Sequence, residues 1–78
     1  MKYFITGAAG FIASNLSDYL LKQGNQVIGY DNFSTGKNTF LKDALNDPAF
    51  KIIEGDILDF PNLKKAMMGC DFVFHLAA

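Results

Sequence analysis

An α/β fold is predicted for this 78-residue chain, with a parallel sheet that forms the first half of a doubly wound architecture in the strand order 3-2-1-4. Three observations lead there. Four short runs rich in aromatic and β-branched residues alternate with three segments of helical periodicity. A glycine-bearing turn, Thr6-Gly7-Ala8-Ala9-Gly10-Phe11-Ile12-Ala13, joins the first run to the first helical segment, and an acidic residue, Asp31, ends the second run. Half of the residues are apolar, which suits a globular chain, although one core of this size is only marginally stable on its own.

The first strand is expected over Lys2 to Thr6, a run suited to burial on both faces. From Gly10 to about Gln23 the apolar positions Ile12, Leu16, Tyr19 and Leu20 recur at helical spacing, with Asn15, Ser17, Asp18, Lys22 and Gln23 opposite. Gly24-Asn25 stops that helix. Gln26 to Tyr30 is the second strand and delivers Asp31 to its carboxyl end, which completes a β-α-β unit with a right-handed crossover. Asn32-Phe33-Ser34-Thr35-Gly36 reads as a loop, after which Phe40, Leu41, Ala44 and Leu45 have the spacing of a short helix ended by Pro48. Phe50 to Glu54 is the third strand, followed by Gly55-Asp56-Ile57. Asp59 is placed to cap a helix with Pro61 in its first turn, Leu63, Ala66 and Met67 inside, and Gly69 as its stop. The fourth strand is expected over Asp71 to Leu76, and Ala77-Ala78 follow it.

The turn reads as a phosphate-binding loop. Gly7 can leave a strand sharply, and Gly10, lacking a Cβ, lets backbone approach a pyrophosphate at a helix N-terminus, where unpaired N–H groups and the helix dipole attract anions. The ligand crevice of such sheets lies outside the carboxyl ends of the strands. That rule gathers the Gly7 loop, Asp31, Asp56 and the Leu76-Ala77-Ala78 segment on one rim.

Asp31 lies about two dozen residues beyond Gly7, near the spacing of a carboxylate that takes the ribose hydroxyls of an adenosine. It therefore argues for NAD as cofactor. A carboxylate there repels the 2′-phosphate of NADP, and the chain contains no arginine to answer one. The plainer reading is that Asp31 starts a turn with Asn32. Lys37 is open to two readings, a partner for a phosphate or, the favoured one, a residue of a solvated loop, and Ser34-Thr35-Gly36-Lys37 is no triphosphate loop, since Asn38 stands where a hydroxyl must ligate magnesium.

Other residues carry less. His75, between Phe74 and Leu76, reads as structural, Cys70 as a small core residue, and Met67, Met68 and the phenylalanines as core filling. A net charge of −1 with scattered lysines offers no field for nucleic acid or an anionic membrane surface. A single cysteine excludes an internal disulfide and a cysteine-built metal site, so a cytoplasmic location is expected, and no targeting or membrane-spanning segment is visible.

Taken together, the motifs Thr6-Gly7-Ala8-Ala9-Gly10-Phe11-Ile12, Asp31-Asn32-Phe33-Ser34-Thr35-Gly36, Gly55-Asp56-Ile57 and His75-Leu76-Ala77-Ala78 resemble the successive cofactor signatures of the extended short-chain dehydrogenase/reductases. That family includes NAD-dependent sugar-nucleotide epimerases and dehydratases, and the nearest likeness within it is to the UDP-glucose 4-epimerases. The resemblance implies a Rossmann domain in which Gly7, Gly10, Phe11 and Ile12 meet the pyrophosphate. It further implies that Asp31 and Asn32 hold the adenosine ribose, with Ser34 and Gly36 in the same signature, that Asp56 and Ile57 contact adenine, and that Leu76, Ala77 and Ala78 line the path to the nicotinamide. Ala13 replaces a glycine usual in the family, which bears on how closely the helix packs.

In that family a tyrosine of a Tyr-x-x-x-Lys pair takes the proton of a sugar hydroxyl while NAD accepts hydride. None of Tyr3, Tyr19 and Tyr30 has a lysine four places on, so no catalytic residue and no metal ligand is assigned. Residues 1–78 are expected to be the N-terminal part of a dinucleotide-binding domain, the cofactor half of a 4-epimerase or of a 4,6-dehydratase or decarboxylase. A reading of another class is a self-associating half-domain, a homo-oligomer joined along an open fourth strand, without catalysis.

Overall fold

The computed structural model describes residues 1–33 and 38–76. It runs β1 (Lys2–Thr6), α1 (Phe11–Lys22), β2 (Gln26–Asp31), a 3-10 turn (Asn38–Leu41), α2 (Lys42–Leu45), β3 (Phe50–Glu54), α3 (Phe60–Met67) and β4 (Phe72–His75). All three strand pairings are parallel, and the order is β3-β2-β1-β4, as the sequence predicts. The register sets Lys2 to Thr6 beside Gln26 to Tyr30, and Tyr3 to Thr6 beside Phe72 to His75.

Alternation along the strands gives the sheet two unlike faces. On one, Ile5, Val27 and Phe50 pack with Ala13 and Leu20 of α1 and with Leu41 and Ala44 of the following segment. On the other, the rings of Phe4 and Tyr30 lie 5.8 Å apart, both fully buried. Helix α3 reaches this second face, where Asn62 Nδ2 donates to the Tyr30 hydroxyl at 3.1 Å.

Helix α1 corrects the expected apolar stripe. Its buried residues are Ala13, Ser14, Ser17 and Leu20, whereas Ile12 is 74% and Tyr19 61% exposed. Small side chains line the face that meets the sheet, and their hydroxyls are satisfied by the helix itself: Ser17 donates to Ala13 O at 3.0 Å and Ser14 to Phe11 O at 2.8 Å. Serine thus behaves here as a slightly larger alanine. Ala13 is buried within this contact, so the missing glycine does not keep α1 out of the core.

The expected helix around Phe40 to Leu45 is split between the 3-10 turn and α2, and only Leu41 and Ala44 of its apolar set are buried. Helix α3 begins as expected, with the Asp59 side chain accepting from Asn62 N and Pro61 in the first turn, and Gly69 follows it at φ 82°. None of its residues is fully buried. Several residues expected as core filling stand in the open, among them Met68, Phe60, Phe11, Phe72 and Phe74. Cys70 is half-buried, and that burial pushes its thiol pKa up, opposed by nearby Lys2. Strand β4 is shorter than expected, because Asp71 instead brackets the start of β1: its carboxylate accepts from Lys2 N at 2.8 Å and its N–H donates to Lys2 O at 2.7 Å. No helix among the described residues is long and apolar enough to cross a membrane.

Candidate functional site

The carboxyl ends of the strands form one rim, and backbone hydrogen bonds stitch it together. Gly7, at φ 70°, turns the chain out of β1, and its N–H donates to Tyr30 O at 2.8 Å, with Ala8 N at 3.4 Å from the same oxygen. Gly55 N donates to Asp31 O at 3.0 Å, and Leu76 N to Thr6 O at 3.3 Å. The four segments predicted to converge therefore do so in the order 76, 7, 31, 55 along the rim.

Between them the loop closes on itself, Gly10 N donating to Gly7 O at 3.0 Å before α1 starts. Gly10 is extended, at φ −73° and ψ 161°, and forms the N-cap of α1 without a side-chain cap. The first helical amides, Phe11 and Ile12, thus stand at a 12-residue helix's positive end with no acidic residue in its first turn. A Cβ on Gly10 would come within 3.2 Å of Gly7 O, so glycine serves the loop's own turn as well as any ligand's approach.

Asp31 holds this arrangement from the side. Its Oδ2 accepts from Ala9 N at 2.8 Å, and its Oδ1 accepts from Phe33 N at 2.7 Å, where Phe33 sits at φ 60°. The plain turn role is therefore observed, together with a tether to the glycine loop that the sequence did not suggest. Each carboxylate oxygen accepts two hydrogen bonds, so these contacts leave acceptor capacity for a ligand hydroxyl. Asn32 is exposed beside it. Asp56 forms a turn of its own, with Oδ1 accepting from Leu58 N at 2.9 Å, and the half-buried Ile57 lies within it. Leu76 is exposed at the far end of the rim. Ser34, Gly36, Lys37, Ala77 and Ala78 lie outside the described residues.

His75 is structural in this geometry. Its Nδ1 shares a 2.8 Å hydrogen bond with Thr6 Oγ1, which also accepts from Leu76 N at 3.1 Å, so the pair fastens β4 to β1 beneath the rim. Among the described residues no group of three or more histidines, cysteines and carboxylates could hold a metal ion.

Gly29, which the motif reading passed over, and Gly55, read only as part of the Gly55-Asp56-Ile57 signature, are as tightly constrained as those in the loop. A Cβ on Gly29 would lie 2.7 Å from the Ala8 Cβ and 2.9 Å from Ile52 Cδ1, so β2 has a glycine where the loop crosses it. A glycine inside a strand is itself a signal of close backbone approach. A Cβ on Gly55 would collide with the Tyr30 hydroxyl and lie 2.8 Å from Asn62 Nδ2.

Comparison with known proteins agrees with this geometry. The NAD dependent epimerase/dehydratase family model matches residues 3–78. A UDP-glucose 4-epimerase of Mycolicibacterium smegmatis is 40% identical over 79 residues, an alignment covering all of this chain and 25% of that protein. UDP-glucuronic acid decarboxylase 1 of Arabidopsis thaliana is 34% identical over 77 residues, covering 99% of the chain and 17% of that protein. Among solved structures, the Bordetella bronchiseptica enzyme WbmH in complex with NAD+ superimposes with a TM-score of 0.90 at 38% identity, over 99% of this chain and 25% of that one. The chain thus spans a quarter or less of the length of these relatives.

Proposed function

Because the chain belongs to the NAD dependent epimerase/dehydratase family, we propose that it binds NAD along the strand-end rim and supplies the cofactor-binding part of a sugar-nucleotide 4-epimerase. One observation carries this reading. The uncapped N-terminus of α1, the glycine turn that opens it and the Asp31 carboxylate are joined through the Ala9 N–H, so an anion cradle and a hydroxyl acceptor stand side by side.

In this proposal Gly7, Gly10, Phe11 and Ile12 face the pyrophosphate, Asp31 and Asn32 the adenosine ribose with Ser34 and Gly36 near them, Asp56 and Ile57 the adenine, and Leu76, Ala77 and Ala78 the nicotinamide side. NAD, when bound, supplies a hydride acceptor and donor for a sugar carbon. No residue of this chain is assigned to proton transfer. A 4,6-dehydratase or a decarboxylase is the alternative reaction, supported by the dehydratases of the family and by the likeness to a UDP-glucuronic acid decarboxylase. A cytoplasmic location is proposed from the single, half-buried cysteine.

A second reading rests on β4, all four of whose residues are exposed although Phe72 and Phe74 stack on Tyr3 at 5.3 and 5.8 Å. Its outer edge suits pairing with a second copy of this chain, giving a homodimer through β4.

Calorimetric titration with the two dinucleotides tests the cofactor proposal. NAD is expected to bind about tenfold or more tighter than NADP, the scale of one charge-assisted hydrogen bond. Equal affinity would overturn it.

A further inference from the structure

Both walls of the proposed site are hydrogen-bonded to one residue that is itself assigned no ligand contact. Tyr30 is the last residue of β2 before Asp31 and is fully buried. Its carbonyl oxygen accepts from Gly7 N at 2.8 Å, which fixes the start of the glycine loop. Its hydroxyl crosses to the neighbouring segment, donates to Asp56 O at 2.9 Å and accepts from Asn62 Nδ2 at 3.1 Å. Gly55 provides the room, because any Cβ there would occupy the position of that hydroxyl.

We infer that Tyr30 is a positioning residue for the adenine end of the site: its hydroxyl sets the 55–57 segment at a fixed height against the glycine loop, so that one aromatic side chain gauges the spacing between the base and pyrophosphate positions. The inference rests on the NAD reading above. Physically, the Asp56 carbonyl accepts from Asp59 N at 3.0 Å as well as from Tyr30, so the turn carrying Asp56 and Ile57 is tied both to its own helix and to the sheet. Removal of the hydroxyl leaves the Asp59 N bond to Asp56 O and the Gly55 N bond to Asp31 O, and loses the tie from Tyr30 to Asp56 O. The turn then persists, still held to β2 at Gly55, but the height of Asp56 and Ile57 against the glycine loop is no longer set by Tyr30.

Tyr30→Phe in the 78-residue chain deletes the hydroxyl and keeps the buried ring, and Asn62→Ala removes the same hydroxyl's other partner from a less buried position. Ligand titrations followed by amide NMR shifts are read for NAD and for nicotinamide hypoxanthine dinucleotide, which differs only in the base. Wild type is expected to prefer NAD. Tyr30→Phe should bind NAD about three- to tenfold more weakly and lose much of that preference, with Asn62→Ala moving both quantities the same way by less. A merely structural role would lower the unfolding midpoint and leave the base preference unchanged. Unchanged preference in folded Tyr30→Phe overturns the inference alone, and should that variant not fold, unchanged preference in Asn62→Ala does so. Absence of NAD binding by wild type overturns the cofactor proposal and this inference together.

Discussion

The sheet is unlike on the two sides of β1. Toward β2 and β3 the chain buries Val27 and Phe50 against α1 and against Leu41 and Ala44 of the following segment, with Tyr30 buried on the opposite face, and small residues bring the glycine loop into contact with the strands. Toward β4 every strand residue is exposed, and α3 buries none of its own fully. The difference separates two uses of apolar sequence. On the first side it closes a core that carries the loop, Asp31 and the 55–57 turn, while on the second it forms a surface open to further protein. The candidate site depends almost wholly on the closed side, with Leu76 the one described contribution from the open side.

The contrast breaks first at Gly29. Valine there would drive a branched side chain into Ala8, Ile52 and Phe50, and overpacking of this kind costs about 1–3 kcal/mol. In a chain this small that is a large share of the total stability, so urea unfolding should show Gly29→Val mostly unfolded or with a sharply lowered midpoint. An unchanged midpoint would mean that the loop does not press on β2.

Val73 on β4 sharpens the same contrast from the other side. Val73→Lys changes a half-exposed position and should alter stability by no more than about 0.5 kcal/mol. It should nevertheless abolish self-association, since a lysine blunts an open strand edge. Sedimentation equilibrium over a wide concentration range reads this directly: a dimer in wild type and a monomer in the variant are expected, whereas a wild-type monomer at high micromolar concentration would remove the homodimer reading.

The strands, their order and the convergence of the rim were legible in the sequence because each depends on local signals: β-rich runs, glycine stops and strict alternation of strand with helix. The phase of α1 was not. Ser14 and Ser17 look polar in a list of letters, yet their hydroxyls bond back to the helix and disappear into the core, leaving Ile12 and Tyr19 outside. Nor was the second function of Asp31, since a carboxylate that receives Ala9 N from 22 residues away leaves no local trace. The need for glycine at 55 comes from the reach of a tyrosine hydroxyl on another strand, a long-range constraint that spacing cannot encode. The phenylalanines misled for a related reason: composition reports that apolar surface exists, not whether other elements cover it.

The central claim is that NAD is held by the glycine loop at the N-terminus of α1, beside Asp31. Amide shift mapping of the isotopically labelled chain, wild type against Gly10→Val, tests it most directly. Gly10 has a φ that valine tolerates, so the variant should keep the dispersed strand resonances of a folded sheet while its side chain obstructs the approach to the Phe11 and Ile12 amides. In wild type, added NAD should perturb residues 7–12, 31–33 and 55–57, and in folded Gly10→Val those perturbations should vanish. The same NAD-dependent shifts in both proteins, or shifts confined to α2 and the far end of α1, would contradict the account.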